Sequence, residues 1–289
     1  MFGFEIPFLQ ALAQLRTPFL NFLFEAITVL GEELIILGIL VVLYFAVDKQ
    51  FALRLFYFTI TSTCVNNTLK NIARIPRPFT RGVTPLRQET ATGYSFPSGH
   101  TQSFSAWSTT LALRFKRLWF SVLVGVLIVL VAFSRLYLGV HYPSDVTVAV
   151  LLGVGIPLIG NLFYDKLKNK NLLFLYTALL FLPFAVGFLF RQDLMSGDLY
   201  KTFGMLVGLA AAAPFEARFA PITYDVPLWK KVTRVAIALA VALAIKEGVK
   251  LILVTDIAWL TLVFYTVRYF LLVFAELALL PLLFKKTNL

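Results

Sequence analysis

The chain has 289 residues, of which 59% are hydrophobic and only 14% are charged. Soluble globular domains carry charges on about a quarter of their residues, so this composition excludes an ordinary soluble domain. The net charge is +11, but Lys and Arg are concentrated in short loops between apolar runs. This placement is typical of membrane topology and not of nucleic-acid binding, so the predicted partner of the chain is a lipid bilayer.

Apolar runs of roughly 18 to 25 residues recur along the chain, long enough for a helix to cross a bilayer. The sequence therefore predicts an all-α, polytopic transmembrane helical bundle that follows a short interfacial segment at 4–15. About ten spans are expected, at 17–30, 33–47, 51–74, 98–113, 118–138, 143–163, 172–190, 201–214, 232–254 and 257–284. We divide the chain into residues 1–164 and a block of additional helices at 165–289, whose role the sequence does not indicate.

The basic loops also predict an orientation in the membrane. Loops rich in Lys and Arg usually face the cytoplasm, and here they lie at 114–117, 166–170 and 230–234. This rule predicts that both termini are cytoplasmic. The alternation of the spans then brings the end of the third span, the start of the fourth and the junction of the fifth and sixth together at the outer face.

Three polar motifs lie at these outer junctions. They are Lys70 with Arg77-Pro78, then Pro97-Ser98-Gly99-His100, then Ser134-Arg135 with His141 and Asp145. Ionisable residues at a membrane boundary are costly and indicate function. The chain contains two histidines, and both belong to these motifs.

The residue types suit the binding of a phosphoryl group. Lys70, Arg77 and Arg135 supply three cations for a phosphate dianion and for the additional charge of its transition state. Ser98 and Gly99 begin the fourth span, where free backbone N–H groups and the helix dipole favour an anion. These five residues are the predicted phosphate-binding set.

Together the three motifs resemble the signature of the type-2 phosphatidic acid phosphatase superfamily, the membrane lipid phosphate phosphatases, without a departure at the defining positions. The resemblance covers about residues 17–164 and implies a six-helix phosphatase core, with about four extra spans after it. It implies that His141 is the nucleophile and forms a phosphohistidine, and that Asp145 orients it. It also implies that His100 protonates the leaving oxygen and later activates water.

The resulting prediction is an enzyme that hydrolyses a lipid phosphate or pyrophosphate at the outer face of a bacterial plasma membrane. We rank undecaprenyl pyrophosphate first as the substrate, ahead of phosphatidylglycerophosphate and phosphatidic acid. The resemblance implies that no metal or other cofactor is needed, and a content of one cysteine, Cys64, and two histidines argues against a zinc site. Two alternatives stay open: a lipid phosphotransferase that uses the same histidine, and a transporter that binds lipid phosphate without cleaving it.

Other charged residues have less specific explanations. Arg74, Arg81 and Arg87 add charge to the long outer loop, where a solvated surface is favoured over a second phosphate site. Arg268 and Glu276 are about two turns apart on the last predicted span and therefore share a face. We expect an internal pair there, with a groove for the lipid tail as the alternative hypothesis.

Overall fold

The structure is a computed structural model that describes residues 2–191, 193 and 197–289. All regular elements in these residues are helical, so the predicted all-α class is confirmed. The α-helices are α1 (Glu5–Gln14), α2 (Pro18–Val29), α3 (Glu33–Val42), α4 (Lys49–Ala73), α5 (Gly99–Phe115), α6 (Leu118–Tyr137), α7 (Pro143–Tyr164), α8 (Lys170–Leu189), α9 (Gly197–Phe219), α10 (Leu228–Ile252), α11 (Ala258–Phe274) and α12 (Leu280–Thr287). Two π-helical segments, Leu43–Val47 and Ala275–Leu279, continue α3 and join α11 to α12.

Each predicted span corresponds to a helix whose ends differ from the prediction by a few residues. The segments Leu118–Tyr137, Pro143–Tyr164, Lys170–Leu189 and Ala258–Thr287 are individually long and apolar enough to cross a membrane. The first two predicted spans pass this test only together, as a pair bent by 43°. By length and hydropathy, the described residues thus contain four spans, or up to five. This is fewer than the ten or so predicted, because the other helices are too short or too polar.

The N-terminal helix α1 lies against the start of α7. The Glu5 carboxylate accepts a 2.8 Å hydrogen bond from the Ser144 backbone N–H, and Leu9 packs against Tyr142. Ser144 and Tyr142 follow His141 closely, so α1 lies at the same end of the helices as the predicted site. These contacts do not fit the predicted arrangement, which placed the N-terminus and the site on opposite faces of the membrane. That arrangement counted α2 and α3 as two crossings, whereas they form one bent pair.

The chain forms two compact units. The first consists of residues 1–36 and 65–165 and contains all three predicted motifs. The second consists of residues 37–64 and 166–289. One boundary therefore lies next to the predicted division after residue 164, but residues 37–64 join the second unit. A division into two separate domains stays a prediction.

In the first unit, α5 packs against α6 and α7, and α2 packs against α6. A polar run on α4 faces the interior of the protein, because Asn66, Asn67 and Thr68 are buried. Asn66 Nδ2 donates to Gln102 Oε1 on α5 at 2.8 Å. Buried amide groups need such partners, so this hydrogen bond fixes α5, which carries the second motif, relative to the end of α4.

The long loop at 74–98 is tied to the C-terminal end of α6 through Arg16. Its guanidinium donates to the Thr84 carbonyl and to the Tyr137 carbonyl, each at 2.8 Å. The last carbonyl groups of a helix have no partner within it. Arg16 therefore satisfies the end of α6 and holds the loop there at the same time.

The second unit is built around α9, which packs against α8 and α11. Its two π-helical segments meet where the Tyr44 hydroxyl donates to the Leu277 carbonyl at 3.2 Å. Lys49 forms an ion pair with the largely buried Glu216, at 2.9 Å. The helices of this unit are thus linked by polar contacts as well as by apolar packing.

The expected internal pair between Arg268 and Glu276 is absent from the described residues. The Arg268 guanidinium lies over the rings of Tyr269 and Tyr265, at 5.0 and 5.5 Å from their centroids. Glu276 is buried, and neither of its carboxylate oxygens has a hydrogen-bond partner in the described chain. Arg268 is therefore stabilised by aromatic faces of its own helix, and the groove hypothesis stays a prediction.

The close approach of α5 and α7 depends on Gly153. A Cβ atom there would lie 2.6 Å from both the Gln102 carbonyl oxygen and Ser105 Cβ, whereas one on Gly155 would meet nothing within 4 Å. We therefore expect Gly153→Ala to destabilise the detergent-solubilised protein by about 1–3 kcal/mol, measured as a lower unfolding temperature. Gly155→Ala, on the same helix, should leave it unchanged or raise it. Equal effects of the two variants would contradict this packing.

Candidate active site

His141 lies in the loop between α6 and α7, at the centre of a buried polar cluster. The next helix, α7, begins at Pro143, a residue well suited to a first helical position. Asp145 is therefore in the first turn of α7, and its Oδ2 lies 3.1 Å from His141 Nδ1. The exposed fractions of the two residues are 1% and 0%. The predicted spacing thus brings imidazole and carboxylate into direct contact away from water.

The neighbours of His141 determine its tautomer. Arg77 Nη1 lies 3.1 Å from His141 Nε2, and because a guanidinium has only donors, Nε2 must be the acceptor. The proton is then on Nδ1 and faces Asp145. Burial lowers the pKa of His141 well below its ordinary value, and the charges of Arg77, Arg135 and Lys70 lower it further. His141 is therefore neutral, with a lone pair on Nε2.

Asp145 is held by three donors on one oxygen. Its Oδ2 accepts from the Tyr142 backbone N–H at 2.9 Å, from the Ser95 hydroxyl at 2.5 Å, and from His141. The Tyr142 contact belongs to a capping box at the start of α7. The sequence analysis missed Ser95, for which the only signal was its position two residues before the second motif. The carboxylate that orients His141 is thus fixed by both a helix start and the long loop.

Lys70 and Arg77 reach the cluster from α4 and the loop that follows it. The Lys70 ammonium donates to the Tyr94 carbonyl at 2.9 Å. Arg77 Nε donates to the Gly93 carbonyl at 3.0 Å, and its Nη1 donates to the Val140 carbonyl at 3.1 Å. Carbonyl groups are dipoles that orient a cation without cancelling its full charge. Both cations are buried, as expected of residues that act inside a site.

Arg135, in the last turn of α6, is the third predicted cation and is completely buried. Its Nη1 donates to the hydroxyl of Thr28 on α2 at 2.7 Å. Its Nε and Nη2 have no hydrogen-bond partner among the residues that the structure describes. Buried donors without a partner are costly, and this pair of donors suits two oxygens of one phosphate. The sequence analysis missed Thr28, because nothing marks it within an apolar run.

The second motif forms the start of α5, with Ser98 as the N-cap residue and Gly99 as the first helical residue. The Ser98 backbone N–H donates to the Asp145 carbonyl at 3.2 Å, and the Ser98 hydroxyl donates to Thr101 at 3.0 Å. The expectation that Ser98 offers a free N–H to an anion is therefore wrong. Ser98 instead ties α5 to α7. The N–H groups of Gly99 and His100, in the first turn, have no intrahelical partner and can still face an anion.

The structure brings the predicted residues into one region of the first unit. His100 is half-buried, in contrast to the fully buried His141. Its imidazole ring lies in the electrostatic field of Arg135, Lys70 and Arg77. The predicted set is His141, His100, Asp145, Lys70, Arg77, Ser98, Gly99 and Arg135. Such a cluster combines a neutral imidazole with positive charge in a low-dielectric environment, which is suited to phosphoryl transfer.

The other arginines of the long loop are either exposed or paired with a carboxylate. Arg74 and Arg81 are exposed, as expected for a solvated surface. The guanidinium of Arg74 lies 6.0 Å from the ring centroid of Tyr94. Arg87 forms an ion pair with Glu32 at 2.9 Å.

Within the described residues, no group of three or more His, Cys, Asp or Glu side chains is placed to hold a metal ion. The role that a metal plays in many phosphoryl-transfer sites is to neutralise charge on phosphate oxygens. Here the side chains of Lys70, Arg77 and Arg135 offer positive charge at the same place. A metal-free reaction stays a prediction.

Residues 51–169 match the family model described as PAP2 superfamily. Residues 200–289 match a second model, described as PAP2 superfamily phosphatase, transmembrane extension. The chain belongs to the PAP2 superfamily. All three motifs lie within the first match, so the predicted resemblance to the type-2 phosphatidic acid phosphatases is confirmed.

Several phosphatases are similar to this chain in sequence or in structure. An undecaprenyl-diphosphatase of Sulfolobus acidocaldarius is 29% identical over 153 residues, which are 52% of this chain and 74% of that protein. Phosphatidylglycerophosphatase B of Bacillus subtilis is 29% identical over 175 residues, 55% of this chain and 83% of that protein. The crystal structure of a transmembrane PAP2 type phosphatidylglycerolphosphate phosphatase from Bacillus subtilis is 27% identical and covers 57% of this chain and 86% of that one, with a TM-score of 0.49. These names refer to different lipid substrates.

We expect Ser95→Ala to lower the unfolding temperature of the protein in detergent, because the buried Asp145 carboxylate loses a donor at 2.5 Å. A hydrogen bond to a charged group contributes about 1.5–3 kcal/mol. The control is Ser108→Ala, because the Ser108 hydroxyl is also buried but donates to the Phe104 carbonyl of its own helix. Ser108→Ala should have the smaller effect. If both variants unfold at the same temperature, Ser95 does not support Asp145.

Proposed function

We propose that the protein is an integral membrane phosphatase that hydrolyses a lipid phosphate or pyrophosphate through a phosphohistidine at His141. The observation that carries the proposal is the neutral imidazole of His141, with its proton held toward Asp145 and its Nε2 lone pair beside Arg77. An oriented lone pair is what a nucleophile requires. Membership of the PAP2 superfamily and the phosphatase names of its relatives support the same reaction.

In the first step, Nε2 of His141 attacks phosphorus, and the bond from phosphorus to the leaving oxygen breaks. Arg77 leaves Nε2 at this stage and donates to phosphate oxygens. Lys70 and the Nε and Nη2 donors of Arg135 stabilise the negative charge on the transferring group. His100 gives a proton to the leaving oxygen. With a pyrophosphate, the leaving group is the lipid monophosphate.

In the second step, His100 takes a proton from water as the water oxygen attacks the phosphohistidine. The bond from nitrogen to phosphorus breaks, inorganic phosphate is released, and His141 returns to its neutral form. Asp145 keeps the other proton on Nδ1 throughout. Nε2 is therefore the nucleophile in the first step and the leaving group in the second.

We propose that the site faces the outside of a bacterial plasma membrane. The candidate span α7 begins beside the site and has 22 residues, so it is about 33 Å long. This length exceeds the hydrocarbon core of a bilayer, about 30 Å. The basic loops at 114–117 and 166–170 favour the cytoplasm for the end opposite the site. Because α1 lies beside the site, the N-terminus belongs on the outer side as well.

We propose undecaprenyl pyrophosphate as the favoured substrate, with phosphatidylglycerophosphate and phosphatidic acid next. An outward-facing site suits a polyprenyl carrier that must be recycled at the outer surface. The relatives include both an undecaprenyl-diphosphatase and a phosphatidylglycerophosphatase. The substrate order therefore needs a direct comparison.

The purified full-length protein should release inorganic phosphate from these three lipids, assayed side by side in detergent, and fastest from undecaprenyl pyrophosphate. His141→Ala should abolish release. Asp145→Asn should slow it on the order of 10³-fold or more, because the wrong tautomer is favoured. Ser108→Ala serves as the buried control.

Two results would contradict this function. One is phosphate release by His141→Ala at the rate of the unaltered protein. The other is binding of all three lipids without any release of phosphate, as expected of a transporter. A labelled acceptor alcohol added to the assay detects a phosphotransferase, which would place phosphate on the alcohol instead of releasing it.

We expect phosphate release to survive treatment with EDTA, because Lys70, Arg77 and Arg135 supply the positive charge that Mg²⁺ supplies in other phosphoryl-transfer enzymes. The measurement compares rates before and after dialysis against EDTA in buffer without divalent cations. Loss of activity that added Mg²⁺ restores would overturn the metal-free mechanism.

A further inference from the structure

The bend between α2 and α3 lies directly on the active site. We call residues 28–32 the elbow. A Cβ atom on Gly31 would lie 3.0 Å from His100 Cβ and 3.0 Å from the His100 carbonyl oxygen, so only a glycine permits this approach without displacement. Three residues earlier, the buried Thr28 hydroxyl accepts the 2.7 Å hydrogen bond from Arg135. The elbow therefore contacts one residue from each of the last two motifs.

The contact with Thr28 uses a particular edge of the Arg135 guanidinium. A guanidinium has five N–H donors in a fixed plane, and the bond to Thr28 is made by Nη1. Nε and Nη2, which lie side by side on another edge, have no hydrogen-bond partner among the described residues. Two adjacent, parallel N–H groups match two oxygens of a phosphate. Thr28 thus occupies the edge that the phosphate does not need.

From this geometry we infer that the elbow is a positioning element of the phosphate site, in which Thr28 sets the rotation of Arg135 so that its Nε–Nη2 edge faces the phosphate. Thr28 does not touch the substrate and acts only through Arg135. The inference rests on the proposed phosphatase function and adds a residue outside the three motifs.

The chemistry of Thr28 suits this role. A hydroxyl is neutral, so it orients the guanidinium and leaves its positive charge available to an anion. A carboxylate at the same place would orient Arg135 equally well but would cancel that charge. Without any acceptor, the guanidinium would bury a third unsatisfied group and could turn a different edge toward the phosphate.

A second contact holds the elbow to the long loop. Arg87 Nη2 lies 2.9 Å from Glu32 Oε1, with about a quarter of each side chain exposed. Partly exposed ion pairs contribute at most about 1 kcal/mol, so this pair assists the placement of the elbow and does not determine it. The close packing of Gly31 on His100 is the stronger constraint, because an interior is not easily deformed.

The test compares Thr28→Val, which keeps the shape but removes the hydroxyl, with Thr28→Ser, which keeps the hydroxyl. The control is Thr17→Val, because Thr17 caps the start of the same helix by accepting from the Leu20 N–H at 3.3 Å, eleven residues before Thr28. The readouts are kcat and KM for phosphate release, the inhibition constant of orthovanadate, and the unfolding temperature with and without orthovanadate.

We expect Thr28→Val to raise KM and the orthovanadate inhibition constant about tenfold, which corresponds to about 1.4 kcal/mol, and to reduce the stabilisation by orthovanadate. Thr28→Ser should restore both constants. Thr17→Val should lower the unfolding temperature but leave both constants unchanged. A merely structural role for Thr28 would instead make Thr28→Val behave like Thr17→Val.

Unchanged constants in Thr28→Val, or an equal rise in Thr17→Val, would overturn the inference while leaving an active enzyme and the proposed function intact. Absence of phosphate release by the unaltered protein would instead contradict the proposed function, and the orthovanadate stabilisation would still test the elbow. Should Thr28→Val not accumulate as folded protein, Thr28→Ala gives the same comparison, because it also removes the hydroxyl and places no methyl group against the guanidinium.

Discussion

The carboxylate of Asp145 is the junction on which the rest of the site depends. One of its oxygens accepts from the imidazole of His141, from the backbone at the start of α7, and from Ser95 in the long loop. The carbonyl of the same residue accepts from Ser98 at the start of α5. A single residue therefore accepts the Nδ1 proton of His141 and joins the start of α7 to the distant segment at 95–98. Loss of its charge would affect the chemistry and the packing together.

The second constraint is electrostatic. Lys70, Arg77 and Arg135 are buried in one cluster, and the partners described above are carbonyl and hydroxyl groups. Such partners satisfy N–H donors but leave much of the positive charge uncompensated. Burial lowers the pKa of His141, and this charge lowers it further. In the proposed reaction, the same groups therefore prepare the nucleophile and attract the anion that it attacks.

The sequence was sufficient for the helices and for the charged residues that the fold brings together, and the reasons are physical. Apolar runs locate helices because length and hydropathy are local properties, and the motif residues stand out because charge is rare in such runs. Thr28 and Ser95 were missed because their importance comes from contacts with Arg135 and Asp145 that are distant in the chain. The bend between α2 and α3 was missed for a different reason. Hydropathy gives the length of an apolar run but not the direction of the chain within it.

Burial of several like charges has a consequence for stability as well as for catalysis. In a low-dielectric interior, cations repel one another and their unsatisfied donors are costly. Both costs lower the stability of the folded site, and the phosphate dianion of the proposed substrate would relieve them together. A ligand that binds only the folded state stabilises it in proportion to its affinity. The charge arrangement that makes the cluster reactive therefore also couples the stability of the first unit to the occupancy of its site.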